Sequence, residues 1–215
     1  MHRLIQSLVF AAVLIAGLAT PAATAGRDAE MFAGGLLQET VLILRDTSVG
    51  EAARGERLHQ LVMQHLDARK GALFALGNYQ RQVDPAAIND YVNAFTNYIT
   101  ALYEARLRTF RSFEFKIVAS MDAGQGDTNV ITRAQSAFER RNAGPIFIWL
   151  RLSPASGQYK IVDVQIAGMW VSIYAREQFA RILSENRADL RALTSHLAYQ
   201  AAQIRGGAGG QVASR

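Results

Sequence analysis

Apolar residues recur every three or four positions through the first half of the chain, then every second position, then every three or four again. Leu36, Leu37, Val41 and Leu44 share one helical face, and Leu58, Leu61, Val62 and Leu66 share another. The stretch "RDTSVGEAARGE" breaks the pattern between them. "LDARKGALFALGNY" continues as a short helix that Gly77 can end as a left-handed cap. The clearest helix is "DPAAINDYVNAFTNYITALYEARLRTF", with Asp84 placed to cap it and Pro85 at its first turn. Its stripe of Ile88, Val92, Phe95, Ile99 and Leu102 is widened by Tyr91, Tyr98 and Tyr103. An apolar face that broad is expected to touch two other layers.

After Phe110 the period becomes two. Phe113, Phe115, Ile117 and Ala119 alternate with Glu114, Lys116 and Ser120, the pattern of a half-buried strand. "MDAGQGDTN" reads as a turn, residues 128 to 137 as the returning strand, and "RRNAG" as a second turn. "PIFIWLRL" is a strand apolar on both faces, and "SPASGQ" turns it into "YKIVDVQI". Helical periodicity returns over residues 168 to 185 and 187 to 204. No internal repeat is present. The expected class is α+β: N-terminal helices, a four-stranded antiparallel meander and two C-terminal helices. One domain over residues 26–205 is expected, with a disordered tail, "GGAGGQVASR", over 206–215.

The extreme N-terminus follows a different rule. His2 and Arg3 precede an apolar run from Leu8 to Leu18, and "ATPAATAG" offers a small-residue cleavage site after Ala25. Eleven helical residues span about 16 Å against a hydrocarbon core of roughly 30 Å, so residues 1–25 read as a signal peptide rather than a span. Removing 25 residues from 215 leaves 190, a comfortable single domain. The absence of cysteine excludes disulfides, thiol chemistry and a lipidated cysteine at the cleavage point. The exported chain must therefore be stable through its core alone. The 23 basic and 18 acidic side chains leave +5, or +4 once Arg3 goes with the leader. Only Lys70, Lys116 and Lys160 are lysines, and arginine suits bidentate contact with phosphate or carboxylate. Most of these arginines read as solvated surface, and nucleic acid is not expected as a partner without dense basic runs.

Catalytic patterns are few. No Gly-x-Ser-x-Gly elbow and no phosphate loop occur, and "GQGDTN" lacks the third glycine of a dinucleotide fingerprint and sits in a hairpin. His59 and His65 are six residues apart, on different helix faces, so no metal site is expected. Asp163, inside an apolar strand, reads either as a general base raised in pKa by burial or as a structural carboxylate. In the second reading it meets Arg176 or a backbone amide at the strand-to-helix corner. The structural reading is preferred, since no histidine, cysteine or second carboxylate lies near it in sequence. No catalytic residue and no cofactor are assigned. The broad helix face and the doubly apolar strands leave both a filled core and an apolar pocket open.

"DVQIAGMWVSIYAREQFARIL" resembles the signature of the MlaC-type, or toluene-tolerance, family: periplasmic lipid-binding components of an ABC transport system. Asp163, Val164, Ile166, Gly168, Arg176, Gln178 and Phe179 match in place. "HLDARKGALFALGNYQRQVDPAAINDYVNAFTNYITALYEARL" is similar to the family's other diagnostic stretch, through Leu76, Gly77, Tyr79, Arg81, Phe95 and Tyr103, with Gln80 replacing a common tryptophan. The resemblance runs from about residue 32 to 200. It implies an NTF2-like cone with added helices, export to the periplasm of a Gram-negative bacterium, and a monomer. It also implies acyl chains held in an internal cavity and passed between inner- and outer-membrane transport complexes. Met169 and Trp170 replace the family's valine and serine after Gly168, and Ala175 replaces the tyrosine before the arginine; such a divergent corner resembles a subgroup linked to hopanoid synthesis. A phospholipid is the first expected ligand and a hopanoid-type lipid the second. An NTF2-like enzyme using Asp163 and a pure assembly factor with a filled interior are the alternatives. The pocket wall is expected from Phe95, Tyr98, Leu102, Phe115, Ile117, Trp149, Val164, Met169, Trp170 and Phe179. Arg106, Arg108 and Arg111 are expected at the headgroup or a docking surface, with Asp163 and Arg176 as structural residues.

Overall fold

The computed structural model describes residues 21–136 and 146–210. Three helices come first: α1 (Pro21–Arg45), α2 (Glu51–His65) and α3 (Ala68–Leu76). Two short 3-10 turns lead into α4 (Ile88–Leu107). The strands follow as β1 (Phe113–Gly124), β2 (Asp127–Ser136), β3 (Ile146–Ala155), β4 (Gln158–Ile166) and β5 (Met169–Trp170), before α5 (Val171–Glu185) and α6 (Leu190–Gly210). The class is the expected α+β. The turn at "RRNAG" and the leader up to residue 20 lie outside the described residues, while the first five residues of α1 precede the expected cleavage point. Helix α6 continues to Gly210, past the boundary expected at residue 205. Among the described residues no helix is long and apolar enough to cross a membrane.

The sheet is an antiparallel meander in the order β1-β2-β3-β4-β5, with five strands where four were expected. The fifth arises at Ala167 and Gly168, whose φ angles of 51° and 84° are both left-handed. Two successive residues of that kind make a type I′ turn, whose twist suits a two-residue hairpin. The chain therefore doubles back, pairing Ile166 with Met169 and Gln165 with Trp170, and helix α5 starts only at Val171. The same geometry recurs at Gln125–Gly126 and Ser156–Gly157, which join β1 to β2 and β3 to β4.

Caps place the helices much as their sequences suggest. Asp67 accepts from the Lys70 amide at 2.9 Å and opens α3, while Asp84 accepts from the Ala86 amide at 2.9 Å ahead of Pro85 and α4. Gly77 follows α3 with φ +55°, and a Cβ there would stand 2.9 Å from Nε of Arg176, so the position demands glycine twice over. The Asp67 amide donates to the Ile161 carbonyl at 2.8 Å, which ties the α2–α3 junction to β4.

Apolar burial divides into two clusters. Ala72, Leu76, Tyr91, Phe95, Ile99, Phe179, Leu183 and Leu193 join α3, α4, α5 and α6 in a helical core. Phe110, Val130, Ala134, Ile148, Leu150, Leu152 and Val164 form a sheet core with Ala29 and Ala33 of α1. Tyr103 packs against both, so the wide face of α4 does meet two layers. The Tyr91 hydroxyl donates to the Ala72 carbonyl at 2.9 Å inside the helical core. Tyr91→Phe should therefore lower stability by about 1 kcal/mol in urea denaturation. An unchanged midpoint would mean that this bond contributes nothing net.

Candidate functional site

The two clusters leave space between them. A partly enclosed cavity of about 110 Å³ lies between the inner face of the sheet and helices α1, α2 and α4. Strand alternation puts Ile148 and Leu150 of β3 on the inner face, and the register pairs them with Ile166 and Val164 of β4, all four lining the cavity. Phe115 and Ile161 extend that wall. Opposite stand Leu36, Leu37 and Thr40 of α1, Leu61, Val62 and His65 of α2, Leu66, and Tyr103, Arg106 and Leu107 of α4 with Phe110 beyond it. These are the same helical faces that the apolar periodicity marks on α1 and α2.

The few polar groups in the lining are turned aside or held neutral. Thr40 Oγ1 donates to the Leu36 carbonyl of its own helix at 2.8 Å. His65 meets the Phe32 ring edge-on, with centroids 5.4 Å apart. Burial, assisted by the Lys160 charge against that of Glu39, pushes its pKa below the usual value, so the imidazole is neutral at neutral pH. Burial pushes the Tyr103 phenol far up, with the Asp163 charge adding to it, so this group stays protonated. Arg106 is exposed and brings a guanidinium to the rim. A space lined this way favours a hydrocarbon guest and repels a charged one.

Asp163 is 3 % exposed and is hydrogen-bonded at the corner by backbone and serine rather than by Arg176. Its Oδ1 accepts from the amides of Val164 at 2.9 Å and Ser172 at 3.1 Å, and its Oδ2 accepts a short bond from the Ser172 hydroxyl. Of its two expected partners the backbone amide is the one present, and Arg176 instead donates to the Phe74 carbonyl at 2.6 Å and lies over the Phe74 ring, 4.8 Å from its centroid. Its helix starts at Val171, three residues later than expected, so Ser172 lies in the first turn beside the strand and Arg176 one turn further from it. Ser172 is a site residue the sequence reading missed. The available signal was its position in the first turn of α5, where Ser172 can offer both an amide and a hydroxyl to a carboxylate.

Of the ten expected wall residues, Phe115 and Val164 line the cavity. Ile117 lines a neighbouring groove between α1 and β1. Phe95 and Phe179 are buried in the helical core, with Tyr98 and Leu102 packed against it. Trp149 alternates with the cavity-lining Ile148 and Leu150 and so faces away. Trp170 meets it edge-on at 6.4 Å and carries the Arg151 guanidinium 4.4 Å over its ring. Met169 is 58 % exposed. The indole corner is therefore no part of the cavity wall, because the type I′ turn carries it to the other side of the sheet. Of the three arginines, Arg106 lines the cavity. Arg108 pairs with Glu51 at 3.2 Å, and both Arg108 and Arg111 line a cleft against Leu44 and Leu58. Among the described residues no group of three or more His, Cys, Asp or Glu is arranged to hold a metal.

A five-stranded meander closed by helices over a small apolar cavity defines an α+β protein with its apolar space between sheet and helices. Residues 36–199 match the model of the MlaC protein family, and the chain belongs to that family. Among solved structures it is similar to a phospholipid-binding protein from Ralstonia solanacearum, determined in complex with a phospholipid. That likeness has a TM-score of 0.67 at 20 % identity and covers 83 % of this chain and 99 % of the other. No curated protein matches.

Proposed function

We propose that this chain is a soluble periplasmic carrier that holds the acyl chains of a phospholipid and passes it between inner- and outer-membrane complexes of an ABC-type lipid transport system. The observation that carries this reading is the apolar cavity between sheet and helices, with Arg106 at its rim. Membership of the MlaC family and the phospholipid held by the Ralstonia solanacearum protein support it. Enclosure follows from energetics. A chain of ~16 carbons gains on the order of 12 kcal/mol by leaving water, at about 0.8 kcal/mol per methylene, so a carrier that left the chains wet would lose them to a bilayer. The headgroup needs no such shelter and faces water beside Arg106. A signal peptide over residues 1–25 delivers the chain to the periplasm in this reading.

The rival enzyme reading needs Asp163 to act inside the cavity. Its carboxylate lies outside the lining, and its oxygens already accept three hydrogen bonds. The hopanoid reading drew on Trp170 as a flat partner, and that ring meets Trp149 edge-on and carries the Arg151 guanidinium on its face instead.

Native mass spectrometry of the mature protein from its own host, followed by lipid analysis, tests the proposal. The expected result is one diacyl phospholipid per chain. A bound hopanoid would replace the cargo. A protein of bare mass that also takes up no lipid from vesicles would end the carrier reading.

A further inference from the structure

The other face of the sheet carries a space that the lipid reading does not use. It is partly enclosed, has a volume of about 240 Å³, and lies where α3 meets the β1–β2 hairpin and strands β3 and β4. Arg151, which lines it, follows the cavity-lining Leu150 on β3 and so points to the opposite face. The sheet stands between the two spaces, and their linings share no residue.

The charges around this space are matched except at one residue. Lys70 Nζ donates to Asp127 at 2.7 Å and to Ser153 Oγ at 2.8 Å. Asp163 already accepts from the amides of Val164 and Ser172 and from the Ser172 hydroxyl. Arg151 differs from both. The strand register sets it opposite Asp163, yet among the described residues it forms no ion pair, and its Nε is buried with no hydrogen-bond acceptor. Its guanidinium lies 4.4 Å over the Trp170 ring and 5.5 Å from the centroid of Phe74. The Phe74 ring is fixed in turn by Arg176, through its backbone carbonyl and its face. Aromatic faces orient a guanidinium but accept none of its N–H groups, which lie in its own plane. A half-buried cation held in this way is preorganised for a planar acceptor.

We propose that this space binds a small organic monocarboxylate, with the carboxylate bidentate on Arg151 and an apolar group against Phe74, Val162 and Ala123. A carboxylate matches the guanidinium fork in plane and spacing. A phosphate dianion would bring a second negative charge beside Asp127 and Asp163, which both line the space. A neutral guest would leave Arg151 unanswered. Size sets the remaining limit. An apolar cavity of ~150 Å³ accommodates a benzene, so about 240 Å³ suits one ring or a short chain bearing the acid and excludes a diacyl lipid. The proposal stands independently of the lipid-carrier reading.

Titration of benzoate into the isotope-labelled protein tests the site, with benzamide as the uncharged counterpart and inorganic phosphate as the competing anion. The chain has two tryptophans, so their indole N–H signals report the site directly. Benzoate is expected to bind saturably with a millimolar Kd and to move the Trp170 signal, identified as the one lost in Trp170→Phe. Benzamide and phosphate are expected to bind at least tenfold more weakly. Arg151→Gln should weaken benzoate at least tenfold and Arg151→Lys several-fold, since an ammonium offers no fork. Ala123→Phe fills the space from the hairpin side, leaves Arg151 in place, and is expected to abolish binding; it serves as the test should Arg151→Gln fail to fold. Absence of saturable benzoate binding to wild type, equal binding of benzamide or of phosphate, or unchanged benzoate affinity in either blocking variant would overturn the proposal.

Discussion

Phe179→Ala is expected to lower the melting temperature by on the order of 10 °C while leaving lipid stoichiometry in the folded protein unchanged. Phe179 is 3 % exposed, and its ring is edge-on to Tyr91 at 6.3 Å and to Phe95 at 6.2 Å. These three rings join α5 to α4 at the centre of the helical core. Truncating a buried phenylalanine removes its transfer energy and leaves a cavity, together about 3–5 kcal/mol. In a domain of this size each kcal/mol shifts the melting temperature by about 2–4 °C. Thermal unfolding and native mass spectrometry on one preparation check both halves. A shift of a degree or two would show that the neighbouring rings collapse into the space. Loss of lipid from protein that remains folded would return Phe179 to the binding site, where sequence reasoning first placed it.

The second large effect is expected at Asp163. Asp163→Ala leaves two amides and the Ser172 hydroxyl without their acceptor in a buried corner, at a cost of about 3 kcal/mol or more. Asp163→Asn keeps an oxygen for the amides and should cost far less. The two variants separate shape from charge, and pH separates them further. Burial pushes the Asp163 pKa up, and the bonds from Ser172 and Val164 and the Arg151 charge pull it back only in part. A folded-state pKa above the unfolded value means that the folded protein binds this proton more tightly. The resulting stabilisation is present below the ordinary aspartate range and is lost as pH rises through the raised pKa. Urea denaturation across that window should show wild type losing stability with rising pH relative to Asp163→Asn. Parallel curves for the two proteins would mean that Asp163 titrates normally in the folded chain.

Two corrections show where local reasoning ended. The sequence offers Asp163 either Arg176 or a backbone amide at the corner, and the amides of Val164 and Ser172 take that place, because Arg176 is a turn further along a helix that starts later than its periodicity implies. What delays the helix is the left-handed pair Ala167–Gly168, and alanine carries no sequence signal for that conformation. The same turn explains the misplaced tryptophan. Trp170 sits in a stretch apolar enough to be a cavity wall, yet the added strand β5 sets it beside Trp149 on the far face. The cavity lining on α1 and α2, among it Leu36, Leu37, Leu61 and Val62, shows in the sequence as apolar helical faces and nothing more specific.

The sequence by itself determined the class of fold, the order of the helices and of the first four strands, the turns that join β1 to β2 and β3 to β4, and the family. Each of these rests on periods of two or 3.6 residues, on turn chemistry, or on motifs that recur along the chain, all properties of neighbouring residues. Tertiary structure decided which apolar faces bury one another and which face a shared space. Phe95 and Phe115 look equally suited to a pocket in sequence; the first is enclosed by α5, and the second packs against Phe110 while lining the gap that α1 leaves beside the sheet. A cavity is the volume left when distant elements meet, so its lining is set by the long-range packing of α1, α2 and α4 against the sheet.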